Sequence, residues 1–229
     1  AIDDYSRAIS IDPSKENNFF IRGGIRFQLG DYLGAIDDYN EAISINSNNP
    51  SYYFFRGNSK DYIGNYLGAI DDYSKAIELN QSQEQYFINR ANAKYILNNF
   101  RGAIEDYNKA IELNFKEELN YYNRGASKYQ LSNFKEAIND YTKAISINPN
   151  EELYFNNRGS SKYQLGNYIE ALDDYNQAIK INPKNSISFK NRAGAYYKLG
   201  DYTKGCNDLK KAKSLGYEIF PRDINTLCM

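Results

Sequence analysis

Apolar and small residues recur along the chain at the spacing expected of helices that bury one face. Between residues 118 and 151, the second half carries such residues at Ala137, Ile138, Tyr141, Ala144, Ile145 and Ile147. Intervals of three and four residues place them in one stripe along a helix. The first half has its own stripe, formed by Tyr121, Gly125, Tyr129 and Leu131. The pattern therefore predicts two amphipathic helices in this stretch.

This two-helix pattern returns every 34 residues, without insertions. One column of alanines, meaning positions separated by one period, comprises Ala8, Ala42, Ala76, Ala110, Ala144, Ala178 and Ala212. A second alanine column, a tyrosine column from Tyr5 to Tyr175 and a small-residue column from Gly23 to Ala193 keep the same register. Such periodicity indicates an array of identical supersecondary units.

The segment between the two helices of a unit carries signals for a helix end and a helix start. A residue suited to a left-handed backbone stands at Gly30, Gly64, Asn98, Ser132, Gly166 and Gly200. The next column predicts N-caps at Asp31, Asn65, Asn99, Asn133, Asn167 and Asp201. Asn133 with Glu136 and Asn167 with Glu170 also resemble capping boxes. Three prolines follow predicted ends of second helices, and Pro50 is predicted to open a first helix.

The period and the small residues Gly125, Ala137, Ala144 and Pro149 within one unit resemble the tetratricopeptide repeat, over nearly the whole chain. Two columns depart from that family. Its tryptophan is replaced by Phe or Tyr, and its leucine before the small residue is replaced by arginine. The resemblance implies an all-α, right-handed α-solenoid of helix-turn-helix repeats. It also implies that the first helices line a concave face where extended peptides bind.

The register of the columns divides the chain into three parts. We expect residues 1–15 to be the second helix of a truncated repeat and 16–217 to form six repeats, the last degenerate. Residues 218–229 are expected to be a C-terminal capping segment, with Ile219, Phe220, Ile224 and Leu227 on a final helix. Because the sequence starts within a repeat, we expect that the N-terminus is missing; a cytoplasmic location is favoured.

The composition argues against catalysis and against several classes of ligand. Histidine, the commonest general base and metal ligand, is absent, and there are two cysteines. The formal net charge is −1, whereas a nucleic-acid groove normally has a basic excess. No apolar run is long enough to span a membrane. We therefore expect no enzyme activity, cofactor, metal, nucleic-acid partner or membrane insertion, and we interpret Cys206 as a packing substitute for isoleucine.

An asparagine column is the first candidate for peptide binding. It comprises Asn89, Asn123, Asn157 and Asn191. A side-chain amide offers both a donor and an acceptor, so it can pair with a peptide backbone without reading its sequence. The glycosyltransferase members of the resembling family, which add O-linked N-acetylglucosamine, hold peptides with a similar ladder. The alternative is that these amides are solvated polar groups on an exposed helix face.

A tyrosine column is the second candidate. It comprises Tyr95, Tyr129, Tyr163 and Tyr197, with Phe27 and Asp61 at the equivalent earlier positions. Tyrosine gives a large contact area and a polar tip, which suits recognition. It equally suits packing between adjacent first helices, which is the favoured interpretation.

Regular charged columns are interpreted as structural. Arginines from Arg22 to Arg192 and aspartates from Asp4 to Asp208 fall at similar heights on antiparallel helices. We predict a repeated Arg–Asp ladder, which leaves open whether Arg56 meets Asp38 or Asp72. The lysine column of Lys60, Lys94, Lys128 and Lys162, with Arg26, is interpreted as a solvated or snorkelling stripe.

The function that these patterns favour is a protein–protein interaction scaffold that binds an extended, neutral or apolar peptide on the concave face. Because the groove columns carry little net charge, we expect modest affinity that salt hardly affects. End-to-end self-association and a regulatory arm of a larger protein remain as alternatives.

Overall fold

The computed structural model describes residues 1–218 and Cys228, and within them every regular element is an α-helix. The chain forms two compact units, Ala1–Phe115 and Lys116–Met229. Unit 1 contains α1 (Ile2–Ile11), α2 (Glu16–Gln28), α3 (Tyr32–Ile45), α4 (Pro50–Tyr62), α5 (Tyr66–Leu79), α6 (Glu84–Ile96) and α7 (Phe100–Leu113). Unit 2 contains α8 (Glu118–Gln130), α9 (Phe134–Ile147), α10 (Glu152–Gln164), α11 (Tyr168–Ile181), α12 (Ser186–Lys198) and α13 (Tyr202–Ser214). Each repeat is thus a helix-turn-helix, as the sequence predicts.

Successive helices pack against each other throughout each unit. In unit 1, α2 pairs with α3, α4 with α5, and α6 with α7; unit 2 repeats this arrangement from α8 to α13. First helices of consecutive repeats also contact each other, as α2 does α4 and α8 does α10. We call the surface they form in each unit the first-helix face.

The core of each repeat consists of small residues and one buried tyrosine. Ala137 and Ala144 are fully buried, and Tyr141 between them is 1% exposed. The small-residue column allows the two helices to approach closely, because a Cβ at Gly125 would lie 2.9 Å from Cε1 of Tyr141. The two alanine columns, the tyrosine column and the small-residue column are therefore packing positions.

The turns agree with the predicted backbone signals. Gly30, Gly64, Gly166 and Gly200 have φ between 78° and 83°, and Asn98 and Ser132 adopt φ of 59° and 61°. These residues end the first helices with a left-handed step. Pro50 is the first residue of α4, as predicted.

All six predicted residues occupy the N-cap position of a second helix, and four of them make the capping bond with their side chains. The side chains of Asp31, Asn65, Asn99 and Asp201 accept hydrogen bonds from the backbone N–H three residues later. The side chains of Asn133 and Asn167 make no such bond, so the predicted capping boxes with Glu136 and Glu170 are wrong. Asn65 and Asn99 face glycines, and a Cβ at Gly68 would lie 2.8 Å from Nδ2 of Asn65, so Glu136 and Glu170 crowd an asparagine side chain. Opposite Lys204 the N-cap is the carboxylate of Asp201, which keeps its bond and also pairs with the lysine ammonium at 2.8 Å.

The predicted Arg–Asp ladder is present, and each arginine pairs with the aspartate of its own repeat. Arg56 donates from Nε and Nη2 to both carboxylate oxygens of Asp72, at 2.9 and 2.6 Å. The same two-pronged pairing joins the arginines and aspartates of the other five repeats. Each guanidinium also lies over the aromatic ring three residues earlier, for example Tyr53 at 5.5 Å.

The interpretation of the lysine column as a solvated stripe is wrong. Lys60 is 20% exposed, and its Nζ lies 2.8 Å from Asp72, the carboxylate that Arg56 already binds. Lys94, Lys128 and Lys162 pair in the same way with Asp106, Asp140 and Asp174, and Arg26 pairs with Asp38. A carboxylate that is only 3% exposed gains from a second cation at this distance. The lysines therefore complete a buried charge cluster.

Cys206 and Cys228 form a disulfide bond, with Cα atoms 5.2 Å apart. Cys206 lies in α13 and is 8% exposed, so its burial agrees with the interpretation as a substitute for isoleucine. The disulfide bond was not part of that interpretation. The predicted final helix with Ile219, Phe220, Ile224 and Leu227 lies outside the described residues. Among the described helices, none is long and apolar enough to cross a membrane.

Candidate functional site

The predicted asparagine column lies on the first-helix face, where each side chain is partly buried. Three of the four amides donate hydrogen bonds from Nδ2 to the preceding first helix. Asn89 donates to Oδ1 of Asn58 at 2.8 Å, Asn157 to the hydroxyl of Tyr122 at 2.9 Å, and Asn191 to Oδ1 of Asn156 at 3.1 Å. At Asn123 the backbone carbonyl accepts a hydrogen bond from the Ser127 hydroxyl within the same helix, at 2.9 Å. The column therefore ties neighbouring first helices together, which the sequence pattern did not predict.

The amides of the column keep part of their hydrogen-bonding capacity. Each Nδ2 carries two N–H groups, and in Asn89, Asn157 and Asn191 one of them is engaged in the bond to the preceding helix. Oδ1 of Asn89 accepts a bond from Gln85 at 2.7 Å. In the described part of unit 2, Oδ1 of Asn157 and Oδ1 of Asn191 accept no bond. One donor and one acceptor on each of these two side chains thus remain for a ligand, held in place by the first bond.

The predicted tyrosine column packs against the second helix of its own repeat. Tyr95, Tyr129 and Tyr163 each meet the first residue of that helix edge to face, with ring centres 5.2 Å apart. Tyr197 lies 6.0 Å from Tyr202 in a tilted arrangement. The tyrosines are only partly buried, so each ring packs against the second helix and also exposes part of its surface on the first-helix face.

In unit 2 the two columns meet in a cleft of about 190 Å³. Three of the predicted residues, Tyr129, Tyr163 and Asn191, line it. The remaining lining residues are Ser160, Gln164, Tyr175, Lys190 and Gly194. Gly194 leaves space in this cleft, since the atoms nearest to a Cβ there would belong to Tyr163, at 3.8 Å or more.

The floor of this cleft is polar but neutral. Burial raises the pKa of Tyr175, whose hydroxyl lies 3.3 Å from Oγ of Ser160, so the phenol stays protonated. Gln164 donates to the hydroxyl of Tyr129 at 3.5 Å. Lys190, which is exposed, supplies the single charge of the lining. Such a surface offers hydrogen bonds and ring contacts to a neutral segment.

Sequence reasoning missed Ser160, Gln164, Lys190 and Gly194 because it followed each column separately. Ser160 and Gly194 belong to one column, whose other members are Gly24, Asn58, Asn92 and Ala126. Its variation between glycine and asparagine was a signal, because a small residue on a helix surface leaves room above it. No cluster of three or more potential metal ligands occurs among the described residues.

Three family models of the repeat match the chain over most of its described length. Models of the tetratricopeptide repeat match residues 50–83, 84–117, 121–151 and 153–185, and a model described as TPR repeat matches 23–60. No curated protein sequence matches the chain.

Solved structures share the fold. YrrB, described as a TPR protein with an unusual peptide-binding site, superposes with a TM-score of 0.75 at 19% identity, over 82% of this chain and 97% of its own. MamA superposes with a TM-score of 0.71 at 23% identity, over 75% of this chain and 93% of its own. A tetratricopeptide repeat protein from Parabacteroides merdae gives 0.67 at 20% identity, over 99% and 89%. The repeat period, the helix pairs and the matching family models lead to one conclusion: the chain belongs to the tetratricopeptide-repeat family.

Proposed function

We propose that this chain is a non-enzymatic scaffold that binds an extended peptide segment on the first-helix face of unit 2. The observation that carries the proposal is the cleft over Gly194, where Tyr129, Tyr163 and Asn191 converge. Unused amide groups of Asn157 and Asn191 suit a peptide backbone, and the partly exposed tyrosine rings suit its side chains. The description of YrrB as a peptide-binding TPR protein supports this kind of partner.

The chemistry of the lining favours a neutral segment. Only Lys190 is charged, and it is exposed to solvent, where salt screens it. Binding should therefore depend on hydrogen bonds and ring contacts, and its affinity should change little between low and moderate salt.

Selection from a random peptide display library tests the proposal. Gly194→Leu should fill the cleft without touching the Arg192–Asp208 pair, and Asp173→Ala changes an exposed residue on the second helix of another repeat. We expect peptides to be enriched on the wild type and on Asp173→Ala but not on Gly194→Leu, with circular dichroism unchanged.

Three results would count against this function. They are no enrichment on the folded wild type, retention of the selected peptides by Gly194→Leu, or strong weakening of binding at moderate salt. If no peptide is enriched and light scattering shows a mass that rises with concentration, self-association replaces peptide binding as the interpretation.

A further inference from the structure

Unit 1 carries a second, apolar pocket on its first-helix face, outside the candidate site in unit 2. Its volume is about 450 Å³. The lining residues are Phe20, Ile21, Gly24, Ile25, Phe27, Gln28, Tyr39 and Phe55. None of them carries a formal charge, and five have purely hydrocarbon side chains.

In three repeats the buried tyrosine of the second helix donates a hydrogen bond to a side chain on the first helix. The hydroxyl of Tyr73 donates to Oδ1 of Asn58 at 2.9 Å, and that of Tyr107 to Oδ1 of Asn92 at 2.5 Å. In both repeats the acceptor is a side-chain carboxamide fifteen residues before the tyrosine.

Tyr39 lacks such a partner because the residue fifteen positions earlier is Gly24. Its hydroxyl is buried and makes no hydrogen bond to any residue that the structure describes. Burial, and then the nearby charge of Asp38, raises the pKa of Tyr39, so the group is a neutral donor. A buried donor without an acceptor destabilises the fold, because it has lost its hydrogen bond to water. An incoming acceptor oxygen would recover the lost free energy.

The space that a carboxamide needs is open beside the hydroxyl. A Cβ at Gly24 would have one neighbouring atom within 4 Å, the Tyr39 hydroxyl oxygen, at 4.0 Å. The rings of Phe20 and Phe55 lie 5.9 and 6.3 Å from the Tyr39 ring. Phe55 is 36% exposed, and side chains of this kind change rotamer within nanoseconds, so its ring can turn aside to admit a ligand.

We propose that this pocket binds a carboxamide on an apolar stem, namely the side chain of Gln or Asn in a bound peptide, with its oxygen accepting from the Tyr39 hydroxyl. The ligand then supplies the group that Asn58 and Asn92 supply within their own repeats. A carboxylate is disfavoured, since no cation lines the pocket and burial of an unpaired charge is costly. The proposal rests on the proposed peptide-binding function and extends it to unit 1, because it assigns one side chain of a peptide bound there.

The first test uses a small probe that needs no peptide groove. 3-Phenylpropanamide is titrated into the labelled full chain and followed by NMR at the amide signals of Gly24, Ile25 and Phe27. We expect saturable shifts with a Kd of about 1 mM, the range for a ligand of this size. 3-Phenylpropanoate and propylbenzene should each bind at least about 5-fold more weakly, because one brings an unpaired charge and the other lacks the acceptor.

Two variants locate the interaction. Gly24→Asn should abolish the shifts, because it places the chain's own carboxamide beside Tyr39, whereas Gly194→Asn, the same change in unit 2, should leave them intact. Tyr39→Phe should weaken the amide about 3- to 10-fold, the loss of one hydrogen bond, and leave propylbenzene unaffected.

The proposal is overturned if the amide produces no saturable shift, if propylbenzene binds as tightly as the amide, or if Gly24→Asn still binds. These outcomes are independent of the display selection. If no peptide is selected but the amide binds, the peptide-binding proposal fails and the carboxamide pocket is supported. If peptides are selected but the amide does not bind, the peptide-binding proposal is supported and the carboxamide pocket fails.

Discussion

At the residue scale, two adjacent glycines of α2 have opposite surroundings. A Cβ at Gly23 would lie 2.9 Å from Cε1 of the buried Tyr39, whereas a Cβ at Gly24 would reach nothing closer than 4.0 Å. Gly23→Ala should destabilise unit 1 by about 1–3 kcal/mol through overpacking. Gly24→Ala should stabilise it by up to about 1 kcal/mol, because alanine favours the helix. Urea unfolding of the two variants measures both effects, and changes of the same sign would contradict the packing described for Gly23.

The shared aspartates hold the charges of each repeat together. Asp72 is 3% exposed and lies between Arg56 and Lys60. Asp72→Asn would leave two partly buried cations without a counter-charge, so we expect a loss of about 3–5 kcal/mol in the free energy of unfolding. The neighbouring Asp71 is exposed, and Asp71→Asn should change stability by less than about 0.5 kcal/mol. Chemical denaturation of both variants tests this; equal effects would mean that the cluster adds no stability.

At the element scale, the N-cap residues divide into those whose side chains make the capping bond and those whose side chains do not, and substitution by alanine distinguishes the two groups. Asn65 caps α5 through a bond from the Gly68 amide at 3.1 Å, whereas the Asn167 side chain makes no such bond at α11. Asn65→Ala should therefore cost about 1 kcal/mol, and Asn167→Ala only a few tenths. Thermal unfolding of the two alanine variants provides the comparison. Equal costs would show that the cap bond at Asn65 has no net effect on stability.

Helices and turns were predictable because their signals are local. The left-handed residues at Gly30 and Asn98 and the helix start at Pro50 depend only on backbone conformation. Interactions between side chains were harder to predict from the sequence. The pairing of Arg56 with Asp72 and the cap failure at Asn133 depend on side-chain geometry that a 34-residue register does not specify.

At the scale of the whole molecule, each candidate site lies where a glycine of one column leaves space beside the side chains of other columns. The asparagine and tyrosine columns were visible in sequence, yet the cleft in unit 2 depends on Gly194, and the pocket in unit 1 depends on Gly24. A missing side chain creates space only in relation to its neighbours, such as Tyr163 or Tyr39. Contacts between columns therefore had to come from the structure.

The buried tyrosine column also gives the chain a common response to alkaline pH. Burial raises the pKa of Tyr39, Tyr73, Tyr107 and Tyr175 in the folded state, whereas an unfolded tyrosine titrates near pH 10. Below pH 10 both states keep the phenolic proton, so the stability of the folded state does not depend on these tyrosines' titration. Above pH 10 only the unfolded state releases it, and the free energy of unfolding falls by up to about 1.4 kcal/mol per tyrosine for each pH unit.

Tyr39→Phe and Tyr202→Phe isolate this contribution in urea unfolding between pH 8 and 11. Tyr39 is fully buried and has no partner to lose among the described residues, whereas Tyr202 is 62% exposed. Replacing Tyr39 should flatten the fall in stability above pH 10 by up to about 1.4 kcal/mol per pH unit, because one proton fewer is released on unfolding. Replacing Tyr202 should leave the slope unchanged. Equal slopes in both variants would contradict the raised pKa of Tyr39.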